Sequence, residues 1–297
     1  MKLRNTIIIA AGILTLAGCK ALEEIPLVDQ QPVSGGNLRT WHVTLKATKS
    51  DVDNKALDLD GSTLNAYWLD TDKVAVYKGG QKVGTLNVYP DAGEKPTMAT
   101  LSGDITGDLV LDEEISLLIP RDSWDYSNQG GTLESVGSDY DYATATVTVK
   151  SLENDSVVLS GATFDKEQSI YRFGFKESGS YIDLKDIIIN SANGGLVSSR
   201  ALNGSEWVST PGAVSVVPAS TPTDHLYYVS IRNESTAADT YQFRMTGSND
   251  ALYLSTKAIP ASVLDAPGKF IGAKNTAASK PDFSPAEGSV SNSENVY

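Results

Sequence analysis

The sequence is poor in the side chains that build most catalytic and metal centres, with 1 cysteine and 2 histidines in 297 residues. One cysteine excludes an intramolecular disulfide and every metal site made of several cysteines, and two histidines leave little room for a histidine-rich metal centre. The G-x-S-x-G elbow, the H-E-x-x-H pair, the P-loop and the G-x-G-x-x-G fingerprint are also absent from the sequence. These absences exclude several large classes of enzyme.

Positive charge is scarce as well. The sequence has 24 Lys+Arg against 37 Asp+Glu, which gives a formal net charge of −13. A general nucleic-acid binder needs a basic face that neutralises phosphates, so this balance argues against DNA or RNA as a partner.

The apolar run near the N-terminus, Ile7–Leu16, is too short for a transmembrane helix, which needs roughly 20 residues. Lys2 and Arg4 precede the run, so residues 1–18 have the pattern of a bacterial lipoprotein signal peptide. The run ends in Leu-Ala-Gly-Cys19, which resembles the lipobox, in which small residues admit the peptidase and the cysteine thiol accepts diacylglycerol. We expect cleavage before Cys19 and a covalent lipid on it; the alternative is a small buried cysteine after an ordinary signal.

Residues 19–39 are predicted to be an acylated tether. Pro26, Pro32, Gly35 and Gly36 make this segment similar to a flexible linker. Two or more acyl chains anchor a protein where one chain would dissociate, so a membrane is the first predicted partner. The predicted location is the outer membrane, with the body at the cell surface.

From Thr40 onward apolar and polar residues alternate, which is the period of half-buried strands. Trp41–Ala47 shows this alternation, and Gly79-Gly80 has the composition of a hairpin turn. Many short strands between turns rich in Gly, Asp, Asn and Ser predict an all-β chain of β-sandwiches, and the length indicates two of them. Only a short stretch near Ala261–Leu264 has a helical pattern.

The polar segment that follows Phe164 indicates a boundary between two domains. We predict an N-terminal domain at residues 40–166, a C-terminal domain at 167–274 and a polar tail at 275–297. Beyond the first hairpins, strands are predicted at Ala99–Ile105, Leu109–Ile119, Ala143–Leu152, Ser156–Ser160, Ile170–Phe175, Tyr181–Asn190, Ala213–Val217, Leu226–Arg232, Tyr241–Thr246 and Ala251–Ser255.

Catalytic and metal-binding residues do not stand out. A Ser–His–acid triad would have to use His42 or His225, and both have the setting of ordinary surface residues. A carboxylate pair suited to glycoside hydrolysis could form in space, but the sequence does not single one out. Closely spaced aspartates could bind Ca²⁺, yet Asp is common before turns, so we expect solvated turn residues and no metal. They are Asp51/Asp53, Asp58/Asp60, Asp70/Asp72 and Asp139/Asp141.

The aromatic residues divide into two groups. Those on the apolar faces of strands are expected in the core: Trp41, Trp68, Tyr171 and Phe173. Trp124 and Tyr126 lie in a polar stretch, residues 120–131, that is predicted to be a long loop. We therefore predict that Trp124 and Tyr126 are exposed and contact a ligand or partner.

Several sequence segments, mostly in the first half of the chain, resemble strand-turn-strand segments that are typical of one protein family. They are Val43–Lys49, Lys55–Trp68, Asp72–Tyr77, Leu101–Ile105, Asp139–Val149 and Ser169–Phe175. Their order, together with the lipobox, resembles the fimbrillin family, the lipoprotein subunits and relatives of type V pili. The C-terminal half resembles the family only in its strand pattern.

The resemblance implies two tandem transthyretin-like (Ig-like Greek-key) β-sandwich domains. In family stalk subunits a trypsin-like protease removes a first strand, and a strand of a neighbouring subunit fills the groove. Here the first strand would be Trp41–Ala47, and the cut would follow Arg39, which precedes it, or Lys55, which comes after it. Residues 275–297 have few large apolar side chains for a donor strand, so a tip, accessory or solitary role is comparable with a stalk role.

Two functions are predicted on this basis. The first is a non-enzymatic cell-surface lipoprotein of fimbrillin type, a structural or adhesive subunit or accessory of a pilus assembled by donor-strand addition. Its partners would be other pilus subunits or ligands on host or bacterial surfaces. The alternative is a glycan-binding surface lipoprotein of a nutrient-capture system, which would use Trp124 and Tyr126. Apart from the lipid on Cys19, no cofactor is expected.

Overall fold

The structure is a computed structural model of the chain and describes residues 38–49, 56–60, 63–119, 122–264, 267–272 and 276–278. Of the predicted site residues, Cys19 and Lys55 lie outside the described residues. The described part of the chain is all-β, as predicted, with two short helices, α1 (Leu133–Asp139) and α2 (Ala261–Leu264). Neither of these helices is long and apolar enough to cross a membrane.

Among the described residues before 167 there are eleven strands, and several of them alternate buried and less buried side chains. They are β1 (Arg39–Lys49), β2 (Ala56–Asp60), β3 (Thr63–Tyr67), β4 (Lys73–Lys78), β5 (Gln81–Pro90), β6 (Met98–Gly107), β7 (Glu114–Ile119), β8 (Ser123–Asp125), β9 (Ala143–Glu153), β10 (Ser156–Leu159) and β11 (Ala162–Lys166). The predicted β4–β5 turn is confirmed, because Gly79 and Gly80 have φ angles of 53° and 77°. Positive φ at both central residues is what a tight hairpin turn requires.

Seven of these strands close into a ring. The hydrogen-bonded order is β1-β6-β5-β4-β7-β9-β11, and β11 pairs in turn with β1, while β10 contacts both β1 and β9. The junction between β11 and β1 is parallel, and β1 pairs antiparallel with β6. A closed ring has no free edge, so β1 has neighbours on both sides. The inward side chains form one core, with buried residues between Trp41 and Phe164.

The remaining strands form smaller sheets around a second core. They are β12 (Ser169–Phe173), β13 (Phe175–Glu177), β14 (Ser180–Tyr181), β15 (Leu184–Ser191), β16 (Val197–Asn203), β17 (Glu206–Pro211), β18 (Val214–Val216), β19 (Tyr227–Ile231), β20 (Asp239–Gly247), β21 (Leu252–Ile259), β22 (Phe270–Gly272) and β23 (Thr276–Ala277). The sheets have the orders β18-β15-β20-β21, β19-β12-β22, β14-β13-β23 and β17-β16-β8.

The second core also takes residues from the first half of the chain. Trp124, Tyr126 and Tyr142 belong to it, and β8 pairs with β16. The described residues from Leu38 onward form one compact unit. The boundary at residues 166/167 and the tandem transthyretin-like organisation therefore stay predictions.

The predicted polar tail begins with an ordered contact. β23 pairs in parallel with β13, and the Ala278 N–H donates to the carbonyl of Lys176 at 2.9 Å. Ala278 also packs against the second core. Apart from residues 276–278, the predicted tail at 275–297 lies outside the described residues.

Candidate functional site

β1 contains the predicted first strand, and its two faces differ: one face is buried and the other is mostly exposed. Trp41, Val43, Leu45 and Ala47 are 5 %, 0 %, 5 % and 0 % exposed and face the core of the ring. The burial continues to Lys49, which is 1 % exposed. β1 thus presents five successive inward positions, of which the first four are apolar and the fifth is charged.

The two edges of β1 are held differently. On one edge β6 pairs antiparallel with β1 along nearly its whole length, from Arg39↔Gly107 to Thr48↔Met98. On the other edge β10 pairs with His42 and Val43, and β11 pairs with the strand from Ala47 onward. Parallel pairing is slightly less stable per residue than antiparallel pairing. The seam with β10 and β11 is therefore the weaker closure of the ring.

The outward face of β1 makes exposed polar contacts with β6. His42 Nδ1 lies 2.8 Å from Asp104 Oδ1, and His42 Nε2 lies 3.4 Å from Ser102 Oγ. This is the connectivity of a Ser–His–Asp triad, but the His42 and Asp104 side chains are 57 % and 65 % exposed, whereas a triad has its acid buried. His42 is a surface residue, as predicted, and His225 makes a similar pair with Asp183 at 3.1 Å. Exposed pairs of this kind hold β1 only weakly.

The fifth inward position of β1 is a buried ion pair. Lys49 Nζ lies 3.3 Å from Asp72 Oδ2, and the two side chains are 0 % and 1 % exposed. The ammonium group also donates to the carbonyl of Tyr67 at 3.3 Å and lies 3.6 Å from the ring centroid of Trp68. Asp72 accepts a further hydrogen bond from the N–H of Leu69 at 3.1 Å. The end of β1 is therefore fixed by charge rather than by apolar contact.

A second buried pair lies at the end of β11, beside β1. Lys166 Nζ is 2.7 Å from Asp141 Oδ1, with side chains that are 1 % and 2 % exposed, and Gln168 donates to the same carboxylate at 3.1 Å. The prediction of solvated turn residues is wrong for Asp72 and Asp141, because each is buried against a lysine at the end of a strand. In the described residues no group of three or more His, Cys, Asp or Glu side chains is placed to hold a metal ion.

Burial changes the acid–base behaviour of Lys49. Desolvation lowers the pKa of Lys49 from 10.5 to about 7, although the carboxylates of Asp72 and Asp141 oppose this shift. Lys166 adds to the lowering through repulsion. Near neutral pH the amine of Lys49 is therefore close to the balance between its charged and neutral forms.

Arg39, one of the two predicted processing residues, begins β1. Its guanidinium pairs with the carboxylate of Asp155 at 2.6 Å and lies 4.2 Å from the ring centroid of Trp41. The Arg39 side chain is 48 % exposed. A cut after Arg39 would leave the rest of β1 joined to the chain. Lys55 follows β1 in the sequence, before β2.

The prediction that Trp124 and Tyr126 are exposed contact residues is wrong. They are 1 % and 0 % exposed: Trp124 lies in strand β8, which pairs with β16, and Tyr126 follows it, with its N–H donating to the carbonyl of Ser198 at 2.9 Å. The Trp124 ring stacks on Trp207 at 3.9 Å and on Tyr142 at 5.2 Å, and Tyr126 meets Tyr142 edge-on at 5.5 Å. Burial raises the pKa of the Tyr126 hydroxyl well above its ordinary value.

A signal for this burial is present in the sequence. Trp124 and Tyr126 alternate with Ser123, Asp125 and Ser127, which is the period of a strand with one buried face. The surrounding polar residues and the following Gly130-Gly131 indicated a loop instead.

No protein-family profile matches the chain, and no curated protein matches it. Solved structures do match, among them a candidate cell adhesion protein of Bacteroides ovatus at 14 % identity and a TM-score of 0.40, covering 72 % of this chain and 84 % of that one. A candidate cell adhesion protein of Bacteroides uniformis is 15 % identical with a TM-score of 0.40, covering 78 % and 100 %. The C-terminally truncated tip fimbrial protein Mfa3 of Porphyromonas gingivalis is 12 % identical with a TM-score of 0.34, covering 73 % and 81 %. Likeness at this level does not by itself assign a function.

Proposed function

We propose that this chain is a cell-surface lipoprotein of fimbrillin type, which serves as a structural or adhesive subunit, or an accessory, of a pilus assembled by donor-strand addition. The observation that carries this proposal is the position of β1, which closes the ring between β6 and β11 and fills its core with alternate side chains. Loss of β1 would expose unpaired N–H and C=O groups and a row of apolar pockets. A strand from another subunit can form hydrogen bonds with these backbone groups and fill the pockets with its own apolar side chains.

The structure favours one of the two candidate cuts. Release of β1 needs a cut between β1 and β2, where Lys55 lies, whereas a cut after Arg39 shortens the tether and leaves the strand in place. Lys49, the last residue of β1, is buried and out of reach of a protease in the folded chain. We therefore assign processing to Lys55.

The remaining parts of the proposal come from the N-terminal pattern and the resemblance. Before the cut after Lys55, the lipid on Cys19 would hold the chain at the outer membrane, with the acidic body at the cell surface. The partners would be the membrane, other pilus subunits and ligands on host or bacterial surfaces. The two largest buried cores of the described residues are compatible with tandem transthyretin-like β-sandwich domains. No enzymatic role is proposed, in agreement with the adhesion and fimbrial names of the structural neighbours.

The glycan-binding alternative has lost its main support. It relied on exposed rings at Trp124 and Tyr126, and both rings are packed inside the second core. A nutrient-capture role is therefore not proposed.

The N-terminus of the protein in surface fibres tests the proposed processing. We expect fibre-bound protein to begin at Ala56, without β1. The variant Lys55→Gln should retain β1 and stay out of the fibres, whereas the matched variant Arg39→Gln should assemble like the wild type. Fibre protein that begins at Cys19 and retains β1 would contradict the proposal.

A further inference from the structure

We infer that the strand which replaces β1 carries a lysine or arginine at the position that Lys49 now holds, and that this cation pairs with Asp72. The partner is then a subunit whose exposed strand has four alternating apolar residues followed, two positions later, by a cation. This inference rests on the proposed strand replacement and adds a rule for which strand is accepted.

The groups that surround the Lys49 ammonium do not leave with β1. The carboxylate of Asp72, the carbonyl of Tyr67 and the ring of Trp68 all belong to the segment that ends β3 and leads into β4. These three groups form a cation site from two acceptors and one aromatic face. Any strand in the place of β1 therefore meets this site at its fifth inward position.

An apolar side chain at that position would leave the buried carboxylate of Asp72 with neither a cation nor the hydrogen-bond donor that the Lys49 amine supplies. The nearby Lys166, which repels the Lys49 ammonium, is itself paired with Asp141 at 2.7 Å. Burying a carboxylate without its partner is far less favourable than burying the pair. The site therefore discriminates against strands that end in an apolar or acidic residue.

The cation also defines the register of the incoming strand. The indole N–H of Trp41 donates to the carbonyl of Gly107 at 3.0 Å, which fixes the first inward position, and the small Ala47 fills the fourth with no exposure. A slip by two residues would keep the apolar face inward but would move the cation away from Asp72. Charge thus selects one register among those that the apolar pattern allows.

In donor-strand addition the occupant comes from another subunit, and we infer the same here. Residues 281–297 of this chain contain no lysine or arginine and lack the apolar alternation, so they do not match the site. The required partner strand has an aromatic or large apolar residue first, a small residue fourth and a cation fifth.

Strand exchange in the intact chain tests this inference. A site for a sequence-specific protease is placed between residues 50 and 55, the folded protein is cut there, and displacement of β1 is measured with a fluorescent peptide of residues 39–49. Unlabelled peptides then compete: the natural sequence, Lys49→Arg, Lys49→Met, and Lys46→Met as the matched control. Lys46 lies on the same strand, but its side chain is 59 % exposed and pairs with Asp91 at the surface.

We expect the Lys49→Met peptide to compete at least about 100-fold less well than the natural peptide. The Lys46→Met peptide should stay within about fivefold of it. In the Asp72→Asn protein the penalty on the Lys49→Met peptide should fall below about tenfold, because no buried carboxylate needs a partner.

Equal competition by the Lys49→Met and natural peptides overturns the inference while leaving strand replacement intact. Failure of every peptide, including the natural one, to enter the cut protein contradicts the proposed function and the inference together.

Discussion

Lys49 stabilises the fold through its buried ion pair with Asp72, and the same position is proposed to select the incoming strand. The variant Lys49→Met keeps the length of the side chain but leaves Asp72 buried without its ammonium partner. We expect the free energy of unfolding to fall by about 3–5 kcal/mol, measured by urea denaturation. The control Lys46→Met removes an exposed pair with Asp91 and should cost less than about 1 kcal/mol. Equal losses in the two variants would contradict the buried pair.

The lowered pKa of Lys49 predicts a pH dependence of stability. Burial lowers this pKa to about 7, against 10.5 for an exposed lysine. Between these values the unfolded chain binds one more proton at this site than the folded chain, so the contribution of Lys49 to the unfolding free energy rises with pH. The rise is at most about 1.4 kcal/mol per pH unit, and below about pH 7 it levels off.

The difference in unfolding free energy between the wild type and Lys49→Met, followed from about pH 6 to about pH 10, isolates this effect. The unfolding free energy of the wild type should increase relative to that of Lys49→Met as the pH rises above about 7. A difference that stays constant over the range would show that the amine keeps an ordinary pKa in the folded chain.

Among the elements, two hairpin turns approach each other closely enough to require glycine. A Cβ atom at Gly80, in the β4–β5 turn, would overlap the backbone of Gly204 in the β16–β17 turn, whereas one at Gly79 meets nothing within 4 Å. Both Gly79 and Gly80 have positive φ, so alanine strains either position by about 1–2 kcal/mol.

The overlap at Gly80 adds to this strain. We expect Gly80→Ala to lower the unfolding free energy by at least about 1 kcal/mol more than Gly79→Ala in urea denaturation. Indistinguishable variants would mean that the two turns do not touch in solution.

The elements that could be predicted are those whose pattern is complete within a short window. β1 and the β4–β5 turn are of this kind, because alternation and paired glycines are local signals. β16 was missed because its residues are mostly half-buried or exposed and show no clean alternation. β8 was missed because three residues between polar neighbours resemble a loop until their pairing with β16 is known.

The charged part of the site could not be predicted for a different reason. Lys49 continues the inward alternation of β1, but a lysine is almost never fully buried unless it is paired. Its partner, Asp72, lies 23 positions away along the chain, so the pair exists only once the ring has closed. The sequence therefore predicts the four apolar inward positions of β1 but not the buried ion pair at the fifth.

At the scale of the whole molecule, the closure of the ring depends on one strand near the N-terminal end of the described chain. β1 joins β6 on one side to β10 and β11 on the other, and it supplies inward residues to the core along its length. A molecule built in this way stays closed while β1 is covalently continuous with it. Under the proposed function, it becomes an acceptor for another strand once β1 is free to leave.

A disulfide that locks β1 to β6 tests this central claim most directly. Thr44 and Ser102 are opposite each other with hydroxyl oxygens 3.1 Å apart, so the pair Thr44→Cys and Ser102→Cys is placed to form a disulfide. The matched lock, Gln242→Cys with Thr256→Cys, joins the opposite residues of β20 and β21 instead. The measurement is the amount of each oxidised protein in fibres sheared from the cell surface. The account predicts that the β1–β6 lock abolishes incorporation and that the β20–β21 lock does not; equal incorporation of both would contradict it.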